Sequence, residues 1–479
     1  MSQHGYAGSM TFAADTVGTR ILVIGAGFCG TLVAAHLLRA QSRKPIHVML
    51  VDRRGAWARG VAYGTRTPAH VLNVPAGRMS AFPDDEDHFL RFAQARDYSI
   101  SGGSFVPRSI YGEYLEHVLT DAKRGRAAGS TLQQILREAT DITVDPDGAE
   151  AEFTNGWKRR FDRVVLAVGN SPPAESVVER TGIRSTYRYV ADPWAPAAFE
   201  QVDPDEPVLL LGTGLTMLDV ALDLHQRGLR APMIALSRHG LLPQAHRAAT
   251  AAPSFAHRPP DILSGAATAL AYLRSVRRYV AELAPTGVDW REVLTSLRPI
   301  TPRLWSALAE PERARFLRHV RAYWEAHRHR AAPLPFALLQ RLIENGELTT
   351  IAGRLDQLDT DVTGITARIV ARGGAVSAER YREFRVGSVV NCTGPQTDIA
   401  RLDDPLLGNL LQRGSIRADP LHCGVDVTDD LALVDGSGVP SRSLYYIGPL
   451  LRARFWEATA VPELRVHAMN LARRLAEGL

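Results

Sequence analysis

The 479-residue chain is poor in cysteine, and this shortage excludes several kinds of chemistry. Its three cysteines, Cys29, Cys392 and Cys423, are too few and too widely spaced for a disulfide framework or a zinc site. They favour a reducing environment, so we expect a cytoplasmic protein. No two cysteines lie a few residues apart, and dithiol relay chemistry is therefore not expected.

Long apolar runs and clusters of positive charge are also missing. No window approaches the roughly 18 apolar residues that cross a bilayer, so no membrane segment is expected. The formal net charge is only +5, and the basic residues are scattered, which argues against a nucleic-acid partner. Residues 1–18 lack a basic region followed by an apolar core, and we interpret them as a flexible leader rather than a secretory signal.

A strand, a glycine-rich turn and a helix follow one another near the start of the chain. The apolar run Ile21–Ile24 stops at glycines spaced Gly25-x-Gly27-x-x-Gly30, and a helical pattern follows at once. Gly25 would form the turn, Gly27 would let the backbone approach a pyrophosphate, and Gly30 would let helix and strand pack closely. The phosphates would lie on the helix N-terminus.

A second strand, Ile46–Val51, ends at Asp52, about twenty residues past the last glycine. A carboxylate in this place can accept hydrogen bonds from ribose hydroxyls, so the whole unit predicts dinucleotide binding. The irregular segment that follows is typical of a ligand-wrapping loop. Its candidates for flavin contact are Asn73, Arg78 and Met79, with plain loop packing as an equal alternative.

A second unit of strand, glycine-rich turn and helix follows later in the chain. The run Val208–Leu211 leads into Gly212-Thr213-Gly214-Leu215-Thr216-Met217, in which methionine takes the place of the third glycine. The second strand of this unit ends at Ser237 and Arg238, with Arg247 a little beyond, instead of an acid. A hydroxyl and a cation suit the 2′-phosphate of NADP, which we therefore favour over NAD, although Arg238 could be an ordinary surface arginine.

Both units close with a buried strand that ends in glycine, Val164–Gly169 in the first and Val389–Gly394 in the second. The simplest pairing is FAD in the first unit and NADPH in the second. A later strand ends at Gly448 and precedes a helix whose N-terminus could face the flavin. The linker between the units carries Trp194, which is either a wall of the cleft or a simple anchor.

The expected fold is α/β, with two Rossmann-like dinucleotide-binding domains and a helical insertion. The predicted divisions are a leader at 1–18, an FAD-binding domain at 19–175 and 390–479, an NAD(P)-binding domain at 176–247 and 334–389, and the insertion at 248–333. His319, His327 and His329 in the insertion lack a carboxylate-histidine pair at ligand spacing, so no metal site is predicted.

The assembled residues resemble the two-dinucleotide-binding-domain flavoproteins, among them the class B flavin monooxygenases and amino-acid N-hydroxylases. More closely, they resemble an FAD/NAD(P)-binding oxidoreductase family. The stretches that carry this likeness are Gly-x-Ala-Tyr at 60–63, Leu-Asn-Val-Pro-Ala-x-x-Met-Ser at 72–80, Phe-x-Pro-Arg-x-x-Tyr-Gly at 105–112, Gly-Thr-Gly-Leu-Thr-Met-x-Asp at 212–219, Ser-Arg-x-Gly-Leu-x-Pro at 237–243 and Trp-Glu-x-Thr-Ala-x-Pro-Glu-Leu-Arg at 456–465.

The resemblance implies positions for both cofactors. It implies FAD on Gly25, Gly27, Gly30, Asp52, the loop from Asn73 to Met79 and Gly448, and NADP on Gly212, Gly214, Thr216 and Arg238. Two departures stand out. Proline follows Gly448 where many flavoproteins have aspartate, and the Phe-x-Gly-x-x-x-His signature of Baeyer–Villiger enzymes is absent.

The expected activity is an NADPH-dependent FAD monooxygenase that transfers one atom of molecular oxygen to a small-molecule amine or thioether through a C4a-hydroperoxyflavin. The flavin supplies this chemistry, so the protein need only provide geometry, dryness and hydrogen bonds. Asn73, Trp194 and Trp456 are the candidates for shaping the substrate pocket. The alternatives are a flavin-dependent NAD(P)H reductase without oxygen insertion and a non-catalytic flavin-binding protein.

Overall fold

A computed structural model of the chain describes residues 18–65, 67–175, 178–179, 182–247, 261–372 and 381–477. The predicted leader lies outside these ranges apart from Gly18, and so does the predicted start of the insertion, residues 248–260.

The first part of the chain alternates strands and helices and carries a small three-stranded sheet. Its elements are β1 (Thr19–Ile24), α1 (Phe28–Arg39), β2 (Ile46–Asp52), α2 (Gly60–Tyr63), α3 (His88–Gln94), α4 (Arg108–Arg124), β3 (Thr131–Leu136), β4 (Ala139–Asp145), β5 (Gly148–Phe153), β6 (Lys158–Phe161), β7 (Arg163–Leu166) and β8 (Tyr189–Val190).

The second part contains a further strand–turn–helix unit, a run of helices, and a return to the first sheet. Its elements are β9 (Val208–Leu211), α5 (Leu215–Gln226), β10 (Met233–Ser237), α6 (Ala269–Leu283), α7 (Trp290–Ser296), α8 (Thr301–Ala307), α9 (Glu310–His319), α10 (Arg321–Arg328), α11 (Pro333–Glu344), β11 (Leu348–Asp361), β12 (Gly364–Ala371), β13 (Tyr381–Val386), β14 (Ser388–Asn391), α12 (Pro405–Gln412), β15 (Ala432–Val434), β16 (Pro440–Tyr446) and α13 (Val461–Glu477).

The first large sheet has the strand order β15-β16-β7-β1-β2-β3. All its neighbours run parallel except the pair β15 and β16. Ile21, Leu22 and Val23 of β1 are fully buried, because this strand lies in the middle of the sheet under α1. The carboxyl ends of β1, β2 and β7 meet at one edge, where the first glycine turn lies.

The second large sheet has the order β13-β12-β11-β10-β9-β14-β8, with five parallel strands and an antiparallel hairpin at one edge. Strand β9, which precedes the second glycine turn, lies between β10 and β14, as β1 lies between β2 and β7. The expected architecture of two Rossmann-like units is therefore confirmed. The chain leaves the second sheet after Asn391, so the predicted division at 389/390 falls inside β14.

The helical insertion is also confirmed, as five helices from α6 to α10 between β10 and α11. Asp289 begins α7 with a side-chain cap, accepting a hydrogen bond from the backbone N–H of Arg291 at 2.7 Å. The insertion packs on the C-terminal part of the chain, where the indole rings of Trp305 in α8 and Trp456 stack at a centroid distance of 4.6 Å. This docking places the end of α10 beside the first domain.

Candidate functional site

The first glycine turn has the backbone that its spacing predicts. Gly25 has a φ of +100°, and a Cβ atom there would lie 2.2 Å from the carbonyl oxygen of Ala167 in the loop after β7. A Cβ on Gly30 would lie 1.8 Å from the carbonyl oxygen of Gly25. Helix α1 begins after Gly27 without a side-chain cap, so its first N–H groups can take a phosphate.

Asp52 ends β2 beside this turn. Its carboxylate accepts hydrogen bonds from the backbone N–H groups of Ala26 at 3.1 Å and Arg54 at 2.8 Å. These bonds orient the side chain next to the glycine turn, where a ribose diol can reach it. The cradle of Gly25, Gly30 and Asp52 therefore fits an adenine dinucleotide.

The second glycine turn is built in the same way. Gly212 has a φ of +116°, and a Cβ atom there would lie 2.4 Å from the carbonyl oxygen of Cys392. Around Gly214 no atom lies within 4 Å of a Cβ position, so the backbone is open to a ligand. The hydroxyl groups of Thr213 and Ser237 are hydrogen-bonded to each other at 2.8 Å, which ties the turn to the end of β10.

Three arginines surround His239 just past the end of β10. They are Arg238, Arg354 and Arg372. Burial is the largest cause of the lowered pKa of His239, and the positive charges of these three arginines lower it further. All three side chains are exposed, and within the described part of the chain none of them forms an ion pair. Arg238 is therefore part of a cationic group and not a single surface arginine. Only Arg238 was identified from the sequence.

A cavity of about 250 Å³ lies between the first domain and the insertion. The candidates Asn73, Arg78 and Met79 all line it, together with the N-terminal end of α13. Its lining residues are Ala62, Tyr63, Leu72, Asn73, Val74, Pro75, Arg78, Met79, Arg108, His246, Thr295, Arg298, Arg328, His329, Arg330, Thr459, Ala460 and Val461. Five of these are arginines, and we therefore call this space the arginine-lined cavity. Among the described residues that line it, none is an aspartate or a glutamate.

Most of these arginines were not singled out from the sequence. Arg298, Arg328 and Arg330 come from the insertion, whose basic residues look like a solvated helix face when only the sequence is considered. Arg298 pairs with Glu463 in α13, and Arg328 Nη2 lies 2.8 Å from Oε2 of Glu457. These long-range pairs dock the insertion on the first domain and bring the cations to the cavity.

Glu457 is 2% exposed, yet it is held as a carboxylate. Burial opposes its ionisation, but the nearby positive charges, that of Arg328 first and also that of Arg298, outweigh burial and keep the pKa of Glu457 below its ordinary value. Its Oε1 also accepts a hydrogen bond from Nε1 of Trp324 at 3.1 Å. This carboxylate supports the arginine side of the cavity from outside it.

His246 closes another part of the cavity wall. Its Nε2 lies 3.0 Å from the carbonyl oxygen of Asn73, and its ring packs on Phe105 at a centroid distance of 5.0 Å. Burial, followed by the charge of Arg330, lowers the pKa of His246 to about 3. The imidazole is therefore neutral at neutral pH, and its N–H donates to the Asn73 carbonyl.

Both tryptophan candidates make packing contacts with neighbouring side chains. Trp456 is 4% exposed, and it lies between the Trp305 ring and the guanidinium of Arg452, which is 3.9 Å from the Trp456 ring centroid. Trp194 packs edge-on against His70 at 5.7 Å and lies under Arg108. Both rings are used in packing, and neither residue lines the arginine-lined cavity or the second cavity, at the closing loops of the two domains.

A second cavity, of about 230 Å³, lies where the closing loops of the two domains meet. Gly169 and the two residues after it form one wall, and Pro395 to Thr397, which follow Gly394, form another. Pro449, next to Gly448, also lines it, and Gly448 itself has a φ of +146°. His329 and Thr459 line both cavities, so the two spaces adjoin.

No group of three or more potential metal-ligating side chains occurs within the described ranges. Among the helices of those same ranges, none is long and apolar enough to cross a membrane. The three cysteines are buried and unpaired. Burial raises the pKa of Cys29 to about 12, so this thiol stays protonated despite its place at the start of α1.

Comparison with known sequences supports the dinucleotide-binding assignment. Residues 22–171 match the profile of a family described as FAD-NAD(P)-binding, which confirms the cofactor class predicted for the first domain. A flavin-containing monooxygenase of Aspergillus flavus, ustF1, is 26% identical over 211 residues. That alignment covers 43% of this chain and 50% of the relative, so the chain spans about half the length of the curated relative it matches.

Comparison with solved structures supports the fold over nearly the whole chain. The reduced form of the ornithine hydroxylase PvdA from Pseudomonas aeruginosa superposes with a TM-score of 0.62 at 14% identity, covering 96% of this chain and 99% of that one. The ornithine N-hydroxylase KtzI from Kutzneria sp. 744, solved with reduced FAD, NADP⁺ and L-ornithine, gives 0.60 at 15% identity with the same coverage. At these identities the likeness shows the fold alone.

Proposed function

We propose that this chain, with its FAD-NAD(P)-binding domain at residues 22–171, is an NADPH-dependent flavin monooxygenase. The observation that carries the proposal is the meeting of the two dinucleotide units. The residues after Gly169 in the first and after Gly394 in the second line one cavity, and this cavity adjoins the arginine-lined cavity at His329 and Thr459. A flavin and a nicotinamide could therefore approach each other beside a space for substrate.

The first domain would hold FAD. Gly25 and Gly30 leave no room for side chains, the uncapped start of α1 suits the pyrophosphate, and Asp52 suits the ribose. Asn73 and Met79, with the N-terminal end of α13, would contact the edge of the flavin that faces the arginine-lined cavity. This assignment keeps every FAD contact that the sequence predicts on one edge of the first sheet.

The second domain would hold NADPH. Gly214 leaves open backbone for the pyrophosphate, and Thr216 lies in the first turn of α5. Ser237 is tied to the turn by Thr213, and the cations of Arg238, Arg354 and Arg372 suit a 2′-phosphate. Three exposed guanidinium groups that lack a described carboxylate partner favour the phosphorylated cofactor over NADH.

Bound FAD, reduced by NADPH, would supply the oxygen chemistry, in which one atom of O₂ is inserted into the substrate and the other leaves as water. The chain's own contribution would be to position the substrate and to exclude water. The cavity wall of Tyr63, Leu72, Val74 and Met79 is largely apolar, which suits water exclusion. A neutral nucleophile such as a thioether, or an unprotonated amine, could bind there.

Rapid mixing of the purified flavoprotein tests this function. Anaerobic reduction by NADPH should be at least about tenfold more efficient than reduction by NADH, since charge-assisted bonds to the 2′-phosphate each contribute about 1.5–3 kcal/mol. The reduced protein with NADP⁺ bound is then mixed with oxygen. A transient absorbing species, distinct from reduced and oxidised flavin, would support oxygen transfer.

Each of the other outcomes has a definite meaning. Reoxidation without such a species, and without oxygen incorporation from ¹⁸O₂ into any tested nucleophile, would favour a reductase. Failure of both nucleotides to reduce the bound flavin would contradict both enzymatic functions.

A further inference from the structure

Arg330 is the unusual cation of the arginine-lined cavity. Its side chain is buried, with the residue 8% exposed, and its Nη2 donates a hydrogen bond to Oγ1 of Thr295 at 2.9 Å. Among the residues that the structure describes, its Nε has no hydrogen-bond partner. Within the described part of the chain it forms no ion pair, whereas Arg108, Arg298 and Arg328 each have a carboxylate partner.

Neighbouring positive charges make the charged form of the buried Arg330 side chain still less favourable. Burial, followed by the charges of Arg328 and Arg291, lowers the pKa of Arg330 to about 10, and the opposing charge of Asp289, which pairs with Arg291, offsets only part of this lowering. A charged group removed from water without a counter-ion costs several kcal/mol. A guanidinium that remains in such a place is best explained by an anion that it binds when the site is filled.

The phosphate groups of the two dinucleotides are not expected to be this anion. Residues 25–30 and 212–217, which form the two phosphate-binding turns, do not line this cavity. A guanidinium with a free edge matches a carboxylate, because its planar fork can donate two parallel hydrogen bonds. Thr295, which also lines the cavity, orients the guanidinium, because its Oγ1 accepts a hydrogen bond from Nη2 of Arg330 and donates to the carbonyl oxygen of Arg291 at 2.7 Å.

The same charges work against a cationic substrate. Five arginines line the cavity, and no carboxylate among its described lining residues could receive an ammonium group. A diamine or a basic amino acid would therefore meet repulsion, which a neutral thioether would not. The remaining wall is apolar enough to hold a short hydrocarbon body.

We propose that the substrate is an organic carboxylate with an uncharged nucleophile, such as a thioether, and that Arg330 binds its carboxylate. This inference rests on the proposed function, since the acid would be the molecule that receives oxygen. It narrows the substrate class from amines and thioethers in general to acids.

Binding to the FAD-loaded protein, without NADPH, tests the proposal independently of turnover. The probes are 3-(methylthio)propanoate, the matched alcohol 3-(methylthio)propanol and the matched amine 3-(methylthio)propylamine, and binding is measured by calorimetry at constant ionic strength. The acid should bind at least about tenfold more tightly than the alcohol, and the amine should bind most weakly. Methyl phosphate distinguishes a general anion site from a carboxylate site, and it should bind less well than the acid.

Substitutions locate the effect. Arg330→Gln should abolish the preference for the acid, and Arg330→Lys, which keeps the charge without the fork, should retain part of it. Arg318→Gln, at an exposed arginine of α9 in the same insertion, is the matched control and should leave the preference unchanged. If Arg330→Gln lowers solubility, Thr295→Val provides a milder second variant. It should weaken binding of the acid and leave binding of the alcohol unchanged.

Two results would overturn the proposal. The first is equal binding of acid and alcohol by the unaltered protein. The second is a shift of the flavin reduction potential in Arg330→Gln while the acid preference persists, which would show that this cation serves the flavin. Loss of turnover with acid binding intact would instead contradict the proposed monooxygenase and leave the anion site in place.

Discussion

Arg108 and Asp219 form an ion pair that joins the two dinucleotide-binding domains. Nη2 of Arg108, at the start of α4, lies 2.7 Å from Oδ2 of Asp219 in α5, and the side chains are only 16% and 9% exposed. Arg108 also donates from Nε to the carbonyl oxygen of Val71 at 3.0 Å. The pair therefore fixes the second domain against the loop that carries the flavin-contact candidates.

Removing one partner should weaken the contact between the domains. Asp219→Asn leaves the Arg108 charge largely buried without a counter-ion, which should cost about 2–3 kcal/mol and lower the melting temperature by several degrees. Asp205→Asn is the control, because the Arg230–Asp205 pair is 65% and 64% exposed and should contribute below about 1 kcal/mol. Equal melting temperatures for the two variants would show that the buried pair does not stabilise the molecule.

Two glycine substitutions separate packing from ligand approach. Gly30→Ala places a methyl group 1.8 Å from the carbonyl oxygen of Gly25, so the purified protein should melt at a lower temperature and contain little FAD. Gly214→Ala fits sterically, since φ is −86° and no atom lies within 4 Å of the Cβ position. It should keep FAD and stability but raise KM for NADPH about tenfold or more.

Gly408→Ala in α12, which is equally open, is the control for the second substitution and should leave KM unchanged. An unaltered KM in Gly214→Ala would mean that the second turn does not hold the pyrophosphate.

The arginines near His239 should distinguish NADPH from NADH. Replacing Arg238, Arg354 and Arg372 singly by alanine should each raise KM for NADPH by about tenfold, because each removes a charge-assisted bond to phosphate. KM for NADH should change little, so the preference for NADPH over NADH should become smaller. Arg341→Ala, at an exposed position in α11, controls for general loss of charge. Parallel changes with both cofactors would place the 2′-phosphate elsewhere.

His246 should make stability depend on pH. The pKa of the folded-state imidazole is lowered to about 3, below its ordinary value of 6.5, so the unfolded chain binds a proton first as pH falls. Stability is therefore lost on acidification between about pH 6.5 and pH 3.

His246→Gln should reduce the loss between pH 7 and pH 5 by about 1–2 kcal/mol, measured as urea unfolding at both values. His319, exposed on α9, supplies the matched control substitution. The same loss in His246→Gln and in the unaltered protein would contradict the assignment.

The parts of the fold that depend on local sequence could be predicted. β1 and β9 are short apolar runs directly before glycines, and both turns have the positive φ angles that glycine permits. Strand β3 was not predicted, because Gln133 and Gln134 interrupt its apolar pattern and Leu136 at its end is 63% exposed. It lies at the edge of its sheet, where the neighbouring strand and not the sequence pattern determines pairing.

The arginine-lined cavity could be predicted only on one side. Asn73, Arg78 and Met79 follow the first nucleotide unit directly, so their position was expected. Arg330 reaches the cavity because the insertion docks on α13 and the loop before it, through pairs such as Arg298 with Glu463. His246, which precedes the insertion, reaches it through its contact with the carbonyl oxygen of Asn73. Both residues lie more than a hundred positions beyond the loop from Asn73 to Met79, so no local sequence pattern connects them with that loop.

The two connections between the domains touch each other where they cross. The backbone N–H of Gln396 donates to the carbonyl oxygen of Pro172 at 3.0 Å, and Nδ2 of Asn391 donates to the carbonyl oxygen of Ala174 at 3.1 Å. The two connections are therefore bonded to each other and not only to their own domains. A rotation of one domain about this crossing would have to break the buried Arg108–Asp219 pair, which joins the same two domains.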